Sequence, residues 1–303
     1  MKKISMSFID IQKTGGDKAA INFATRVGAF GIDFDLSHLS VKKKDSLYTQ
    51  GEGAVISYME EIKKYADSNG IVIRQVHGRL HEWSSDEAGN RNFVRDTELD
   101  CLAAGVLGAK YCVVHTPSIN LLGGDHSDEE YFASNMEMLR SIIPFAKANK
   151  IKIALETHGY SRKLEKVEFF GFIDNLKEAC IRAISELDCA DALCVCVDTG
   201  HTNMTVRHGE ASVGDAIRKL GSLVEVLHIH DNNGILDEHK IPGTGIIDFE
   251  DVFAALKEIG FKGWYNLENS LTHFGGNFEH EEASFSIKVL EHYLTKAIIN
   301  YEA

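Results

Sequence analysis

The amino-acid sequence predicts an α/β protein of the (β/α)8 barrel class. Three observations carry the class: eight short β-rich runs, helical apolar stripes between them, and a length of 303 residues, within the range of such barrels. The runs fall at residues 4–8, 31–36, 71–76, 109–114, 151–155, 193–197, 224–229 and 263–267. Most are near-continuously apolar rather than half polar, the pattern of parallel strands covered on both faces.

The gaps carry a different period. Val55, Met59, Ile62 and Ala66 recur at i, i+4, i+7 and i+11, as do Phe132, Met136, Leu139 and Ile143, and again Ala283, Ile287, Leu290 and Leu294. Each set lines one face of a helix, which points that face at a sheet and leaves charges outside. Helix ends are expected at Asn69-Gly70, Gly108, Asn149 and Gly260, residues that accept the left-handed conformation. Gly15-Gly16-Asp17 and Gly123-Gly124-Asp125 read as loop punctuation and helix starts. No G-x-G-x-x-G follows the first run, which disfavours a doubly wound dinucleotide-binding sheet. With three prolines and no low-complexity segment, the chain reads as one domain over residues 1–303.

Charge and composition narrow the function. A formal charge of −13 argues against nonspecific binding to nucleic acid or an anionic membrane. No run of 18 apolar residues exists, so no membrane helix is expected. The N-terminus lacks an apolar signal core. The six cysteines, Cys101, Cys112, Cys180, Cys189, Cys194 and Cys196, form no C-x-x-C pair and read as buried thiols, which points to the cytoplasm. Base rates favour a homo-oligomer, most often a dimer.

Chemistry concentrates at the downstream ends of the runs. His77, His115, Glu156, Asp198 and Glu268 each follow an apolar stretch, and His228 and His230 alternate within Val226-Leu227-His228-Ile229-His230-Asp231. In a barrel these ends converge on one mouth, the catalytic face. Burying so many acids and imidazoles without a cation costs several kcal/mol per unpaired charge. A bound divalent metal removes that cost. The implied ligands are Glu156, Asp198, His228 and Glu268, a mixed oxygen and nitrogen set suited to Mn²⁺, Co²⁺, Mg²⁺ or Zn²⁺. In Asp198-Thr199-Gly200-His201 the acid and imidazole lie one helical turn apart; an N-cap aspartate with a surface histidine is the plainer alternative. Asp237-Glu238-His239 leads into Pro242-Gly243-Thr244-Gly245, either a backbone phosphate cradle or a tight turn before the next helix.

The strand-end order Glu156, Asp198-x-x-His201, His228-x-x-Asp231, P-G-x-G and Glu268 resembles the sugar isomerase/epimerase superfamily with the xylose-isomerase-like TIM barrel. That group includes ketose 3-epimerases, inosose dehydratases and hydroxypyruvate isomerases. The resemblance implies that Glu156, Asp198, His228 and Glu268 hold one divalent ion, and that Glu156 and Glu268 exchange protons with the substrate from opposite faces. It also implies that His201 binds substrate oxygens. The same barrel carries endonuclease IV, a three-zinc enzyme that cuts DNA at abasic sites, and His77, His115, Glu156, Asp198, His201, His228, Asp237, His239 and Glu268 follow its ligand order. Two departures weigh against the nuclease: the segment after His77 is unlike its DNA-contacting loop, and no basic cluster flanks the site. One departs from the ketose epimerases: Asn232-Asn233-Gly234 replaces an arginine after the His-x-His pair.

The expected function is therefore metal-dependent isomerisation or epimerisation of a small sugar or sugar phosphate. Proton transfer would pass through a metal-stabilised enediolate, with Glu156 and Glu268 as the acid/base pair. His77, His115, His201, His230 and His239 would hold substrate oxygens, and Trp83 would either lie against a sugar face or form a lip of the barrel core. The alternatives are the abasic-site nuclease and a sugar-binding barrel without catalysis.

Overall fold

The structure is a computed structural model and describes residues 2–80, 82–122 and 126–302. Among them lie eight parallel strands: β1 (Ile4–Ser7), β2 (Gly31–Asp35), β3 (Val72–His77), β4 (Tyr111–His115), β5 (Lys152–Glu156), β6 (Leu193–Asp198), β7 (Val224–His228) and β8 (Tyr265–Leu267). β1 to β7 pair in sequence order, and β8 pairs back onto β1 through Ile4 and Tyr265. A parallel bridge between Ile229 and Leu267 joins the remaining edges, so the barrel is nearly closed. Consecutive parallel order is what right-handed β-α-β crossovers produce. All eight β-rich runs therefore become strands, shifted by at most two residues at either end.

Eight principal helices follow the strands in turn: α1 (Asp17–Val27), α2 (Glu52–Ser68), α3 (Glu87–Leu107), α4 (Asp128–Asn149), α5 (Ile173–Leu187), α6 (Val213–Leu220), α7 (Phe249–Glu258) and α8 (Glu279–Lys296). Every residue of the three apolar stripes is buried, on α2, α4 and α8. Burying a Leu, Ile or Met contributes roughly 1.5–3 kcal/mol, which is why these faces seek the sheet. Gly108 closes α3 in the left-handed conformation as expected, whereas α4 is closed one residue late, by Lys150 at φ 57°. Asn149 instead stays helical, its amide donating to the Phe145 carbonyl at 2.9 Å. The helix start expected at Asp17 is observed; Gly123-Gly124-Asp125 lie outside the described residues.

The six cysteines are free and buried. Cys194 and Cys196 sit inside the barrel with Val113, Ala154 and Val226, a compact apolar floor beneath the polar mouth. No helix of the described residues is long and apolar enough to cross a membrane.

Candidate metal centre and active site

Because strand side chains alternate, a polar residue at the end of an inward-facing row points into the barrel mouth. Six strands supply such residues here. Glu156, Asp198, His228 and Glu268 each bring one ligand-type atom within 4.8 Å of the others. Glu156 and Glu268 both lie 3.1 Å from Nδ1 of His228. Glu156 also faces His115 at 2.8 Å and His77 at 3.5 Å. Asp198 is fully buried; both its oxygens lie 3.0 Å from Nε2 of His230, and it accepts the His201 backbone N–H at 2.6 Å. It thus caps the Thr199–Val206 helix and joins the cluster at once, so the two alternatives for this motif are not exclusive.

Asp33 of β2 is a member that the sequence reading missed. It is buried, and its carboxylate lies 3.0 Å from Nε2 of His228, leaving Nδ1 toward the two glutamates. The side-chain amides of Gln75 and Asn266 donate to the same oxygen at 3.1 and 3.3 Å. A carboxylate behind an imidazole fixes its ring and tautomer for metal binding. The available signal was a pair of acids at alternate positions in an otherwise apolar strand, Gly31-Ile32-Asp33-Phe34-Asp35.

The cluster opens on a cavity of about 770 Å³ lined by His77, His115, Glu156, His201, His239 and Glu268 among others. Phe8, Ile9 and Leu271 form an apolar wall, and no Lys or Arg lines it among the described residues. Asp237 lies between Nε2 of His201 at 3.3 Å and Nε2 of His239 at 3.2 Å.

Two open alternatives are decided and one expectation is corrected. Trp83 does not line the cavity: its ring is buried edge-on against Phe93, and its indole N–H donates to Ser134 at 3.1 Å. His230 is fully buried, stacked on His239 at 3.9 Å and paired with Asp198, so it orients neighbours instead of meeting substrate. The P-G-x-G segment is no phosphate cradle. Its Gly243 and Gly245 N–H groups donate to one Asp231 oxygen at 2.9 and 2.8 Å, while Asn232 and Ile247 donate to the other. A Cβ on Gly245 would meet that carboxylate at 2.3 Å, so the turn is wrapped around Asp231. Asn232 is likewise structural, its amide tying Gly200, Asn203 and Gly234 together.

The donor set fits a divalent cation. Three carboxylates converge without a lysine or arginine against them among the described residues, and the only partners balancing their charge are imidazoles. Burial opposes a charged His77, but Glu156 prevails and pushes it up to about 9. Burial also opposes a charged His228, yet the carboxylates of Glu268, Glu156 and Asp33 together hold it above the usual imidazole value. Without a cation the surrounding carboxylates favour the protonated form of both rings. A ligating imidazole must be neutral, so uptake expels the proton of His228, and affinity rises with pH. Calorimetric titration with Mn²⁺ at pH 7, in buffers of different ionisation enthalpy, is expected to report about one or more protons released per ion; zero release contradicts the assignment.

A parallel barrel with acids and imidazoles gathered at the C-terminal ends of its strands defines a class, the TIM barrel with a site on its catalytic face. The chain belongs to the xylose isomerase-like TIM barrel family, whose model it matches over residues 21–291. An uncharacterized protein of Methanocaldococcus jannaschii is 28% identical over 219 residues, 71% of this chain and 69% of that one. The D-psicose 3-epimerase of Ruminiclostridium cellulolyticum is 26% identical over 222 residues, 69% of this chain and 67% of the enzyme. The crystal structure of a D-tagatose 3-epimerase-like protein shares the fold, with a TM-score of 0.72 at 24% identity over 98% of both chains. Relatives of named activity, that D-psicose 3-epimerase among them, are isomerase-class enzymes.

Proposed function

We propose that the chain is a divalent-metal-dependent sugar or sugar-phosphate isomerase or epimerase. One observation carries the reading: two glutamates, Glu156 and Glu268, flank the same His228 nitrogen at 3.1 Å and line one cavity. Glu156, Asp198, His228 and Glu268 would hold the ion, which when bound supplies Lewis-acid stabilisation of the charge developing on substrate oxygen.

The protein's own groups do the rest. One glutamate removes the proton beside a carbonyl, and the other returns a proton to the opposite face or the neighbouring carbon. Despite its burial, Glu156 is held well below the usual carboxylate range by His115 and His228, so it stands ionised. His77, His115, His201 and His239 present ring nitrogens to substrate hydroxyls at the cavity wall. The apolar wall of Phe8, Ile9 and Leu271 limits water at the reacting carbon. Sequence similarity to a ketose 3-epimerase supports the same chemistry.

The test is a panel of free ketoses and sugar phosphates in D₂O with Mn²⁺ or Co²⁺, followed by NMR. Deuterium is expected at the carbon next to the carbonyl of at least one substrate, and no incorporation from any member overturns the proposal.

One observation favours the abasic-site nuclease as a second reading. Beside the four-residue cluster, His77, His115 and Glu156 form a further donor group, and His201 and His239 converge on one Asp237 oxygen. The lack of Lys and Arg in the cavity lining among the described residues weighs against it, since phosphate neutralisation dominates affinity for DNA. Metal analysis separates the two: about one ion per chain accords with the isomerase, about three with the nuclease.

A further inference from the structure

A second cleft of about 530 Å³ adjoins the main cavity and shares His201, Asp237 and Glu238 with it. Its far side is a small hairpin, Tyr160–Ser161 paired antiparallel with Lys166–Val167, whose turn carries Arg162 and Lys163. The hairpin is anchored: the Glu168 N–H donates to the Gly159 carbonyl at 3.0 Å, the Leu164 N–H donates to the Ser161 hydroxyl at 3.2 Å, and the Tyr160 ring stacks on His208 at 4.2 Å. The two cations are therefore held at the wall of the cleft by a fixed turn.

Three acids line this cleft too, yet each is already engaged. Asp237 is shared by His201 and His239. Glu238 accepts the Asn233 N–H at 2.9 Å and pairs with Lys240 at 2.9 Å. Glu168 is buried and accepts from the Ser118 hydroxyl and the Ile119 N–H. Arg162 and Lys163 form no ion pair among the described residues, in a chain with 45 acids against 32 bases. The usual backbone cradle for phosphate in such a barrel is filled by Asp231, and among the described residues no Lys or Arg lines the main cavity. The adjoining cleft is thus where an anion leaving the site finds unspent positive charge.

We propose that Arg162 and Lys163 form a subsite for the phosphate of a phosphorylated sugar whose reacting carbons lie at Glu156 and Glu268. The inference rests on the isomerase reading and narrows its substrate class. Arg supplies a planar fork and Lys a mobile point charge, a pairing suited to a dianion with three free oxygens.

The experiment compares wild type with Arg162→Ala/Lys163→Ala in two ways. Calorimetry with inorganic phosphate tests the subsite without catalysis, and D₂O exchange is followed on a free ketose and on its terminal phosphate ester. Wild type is expected to bind phosphate and to show a KM about tenfold or more lower for the ester. The double variant is expected to lose phosphate binding and raise KM for the ester about tenfold, with kcat and the free ketose little changed. Equal phosphate binding in both proteins, or equal KM for ester and free ketose in wild type, overturns the subsite. Absence of exchange with every sugar overturns the isomerase reading instead, and phosphate calorimetry still decides whether the cations bind an anion.

Discussion

Replacing Glu156 or Glu268 by glutamine is expected to cut deuterium exchange into substrate by about 10²–10⁴-fold, the range for loss of a positioned acid or base. The amide keeps the shape of the carboxylate but cannot accept the proton. Each residue is also a candidate metal ligand, so the loss has two readings that must be separated. Asp33→Asn provides the control, because Asp33 touches His228 and lies beneath the reacting face. Weakening a carboxylate behind a ligating histidine costs about 10–100-fold in metal affinity, and saturating Mn²⁺ should then restore most activity. Saturating Mn²⁺ should not restore Glu156→Gln or Glu268→Gln, whose defect is in the proton transfer itself. Circular dichroism and metal content report fold and occupancy in parallel. Exchange at the wild-type rate in either glutamine variant, or full rescue by metal, removes the proton-transfer role.

The barrel was legible because its two signals are local. Apolar runs of five or six residues and stripes at i, i+4, i+7 need no knowledge of distant contacts. The strand-end acids and imidazoles were legible for a related reason: once the runs are strands, the residue after each must reach the mouth. What escaped was set by tertiary neighbours. Asp33 lies within its strand, and its role appears only when His228, 195 positions later in number (228 − 33), packs against it. Trp83 and His230 have the right chemistry for a sugar site, but Trp83 spends its indole N–H on Ser134 while packed against Phe93, and His230 is buried with its ring stacked on His239 and its Nε2 on Asp198. The P-G-x-G turn has the composition of an anion cradle; that its anion is the chain's own Asp231 depends on how the loop folds back.

Arg79→Ala is expected to produce the largest loss of stability. Arg79 is fully buried two residues beyond His77, and its guanidinium bridges Asp100 through Nε at 2.7 Å and Nη2 at 3.1 Å. It also donates to the carbonyls of Leu36 at 2.6 Å and Leu39 at 2.8 Å, and faces Asp96 at 3.7 Å. Tyr48 donates to Asp100 at 2.5 Å, and Asp96 accepts the Val41 N–H at 2.7 Å, so one cation ties the β2–α2 loop to α3 and to the end of β3. Removing it strands two buried carboxylates, and breaking a buried pair from one side costs about 3–5 kcal/mol. For a chain of this length that corresponds to a fall in melting temperature of about 5–8 °C. Tyr48→Phe, which deletes one hydrogen bond, should cost only about 1 kcal/mol. Pairing Arg79→Met with Asp100→Leu should cost less than Arg79→Ala, because removing both charges leaves fewer unpaired ones in the interior. The damage should also reach the site: the Arg79 carbonyl accepts the His115 N–H at 2.9 Å, and the Gly78 N–H donates to Val113, the pairing that holds His77 beside His115. A melting temperature for Arg79→Ala within about 1 °C of wild type would show that the two acids are satisfied without the guanidinium, and that the β3–β4 edge of the mouth is set by backbone pairing alone.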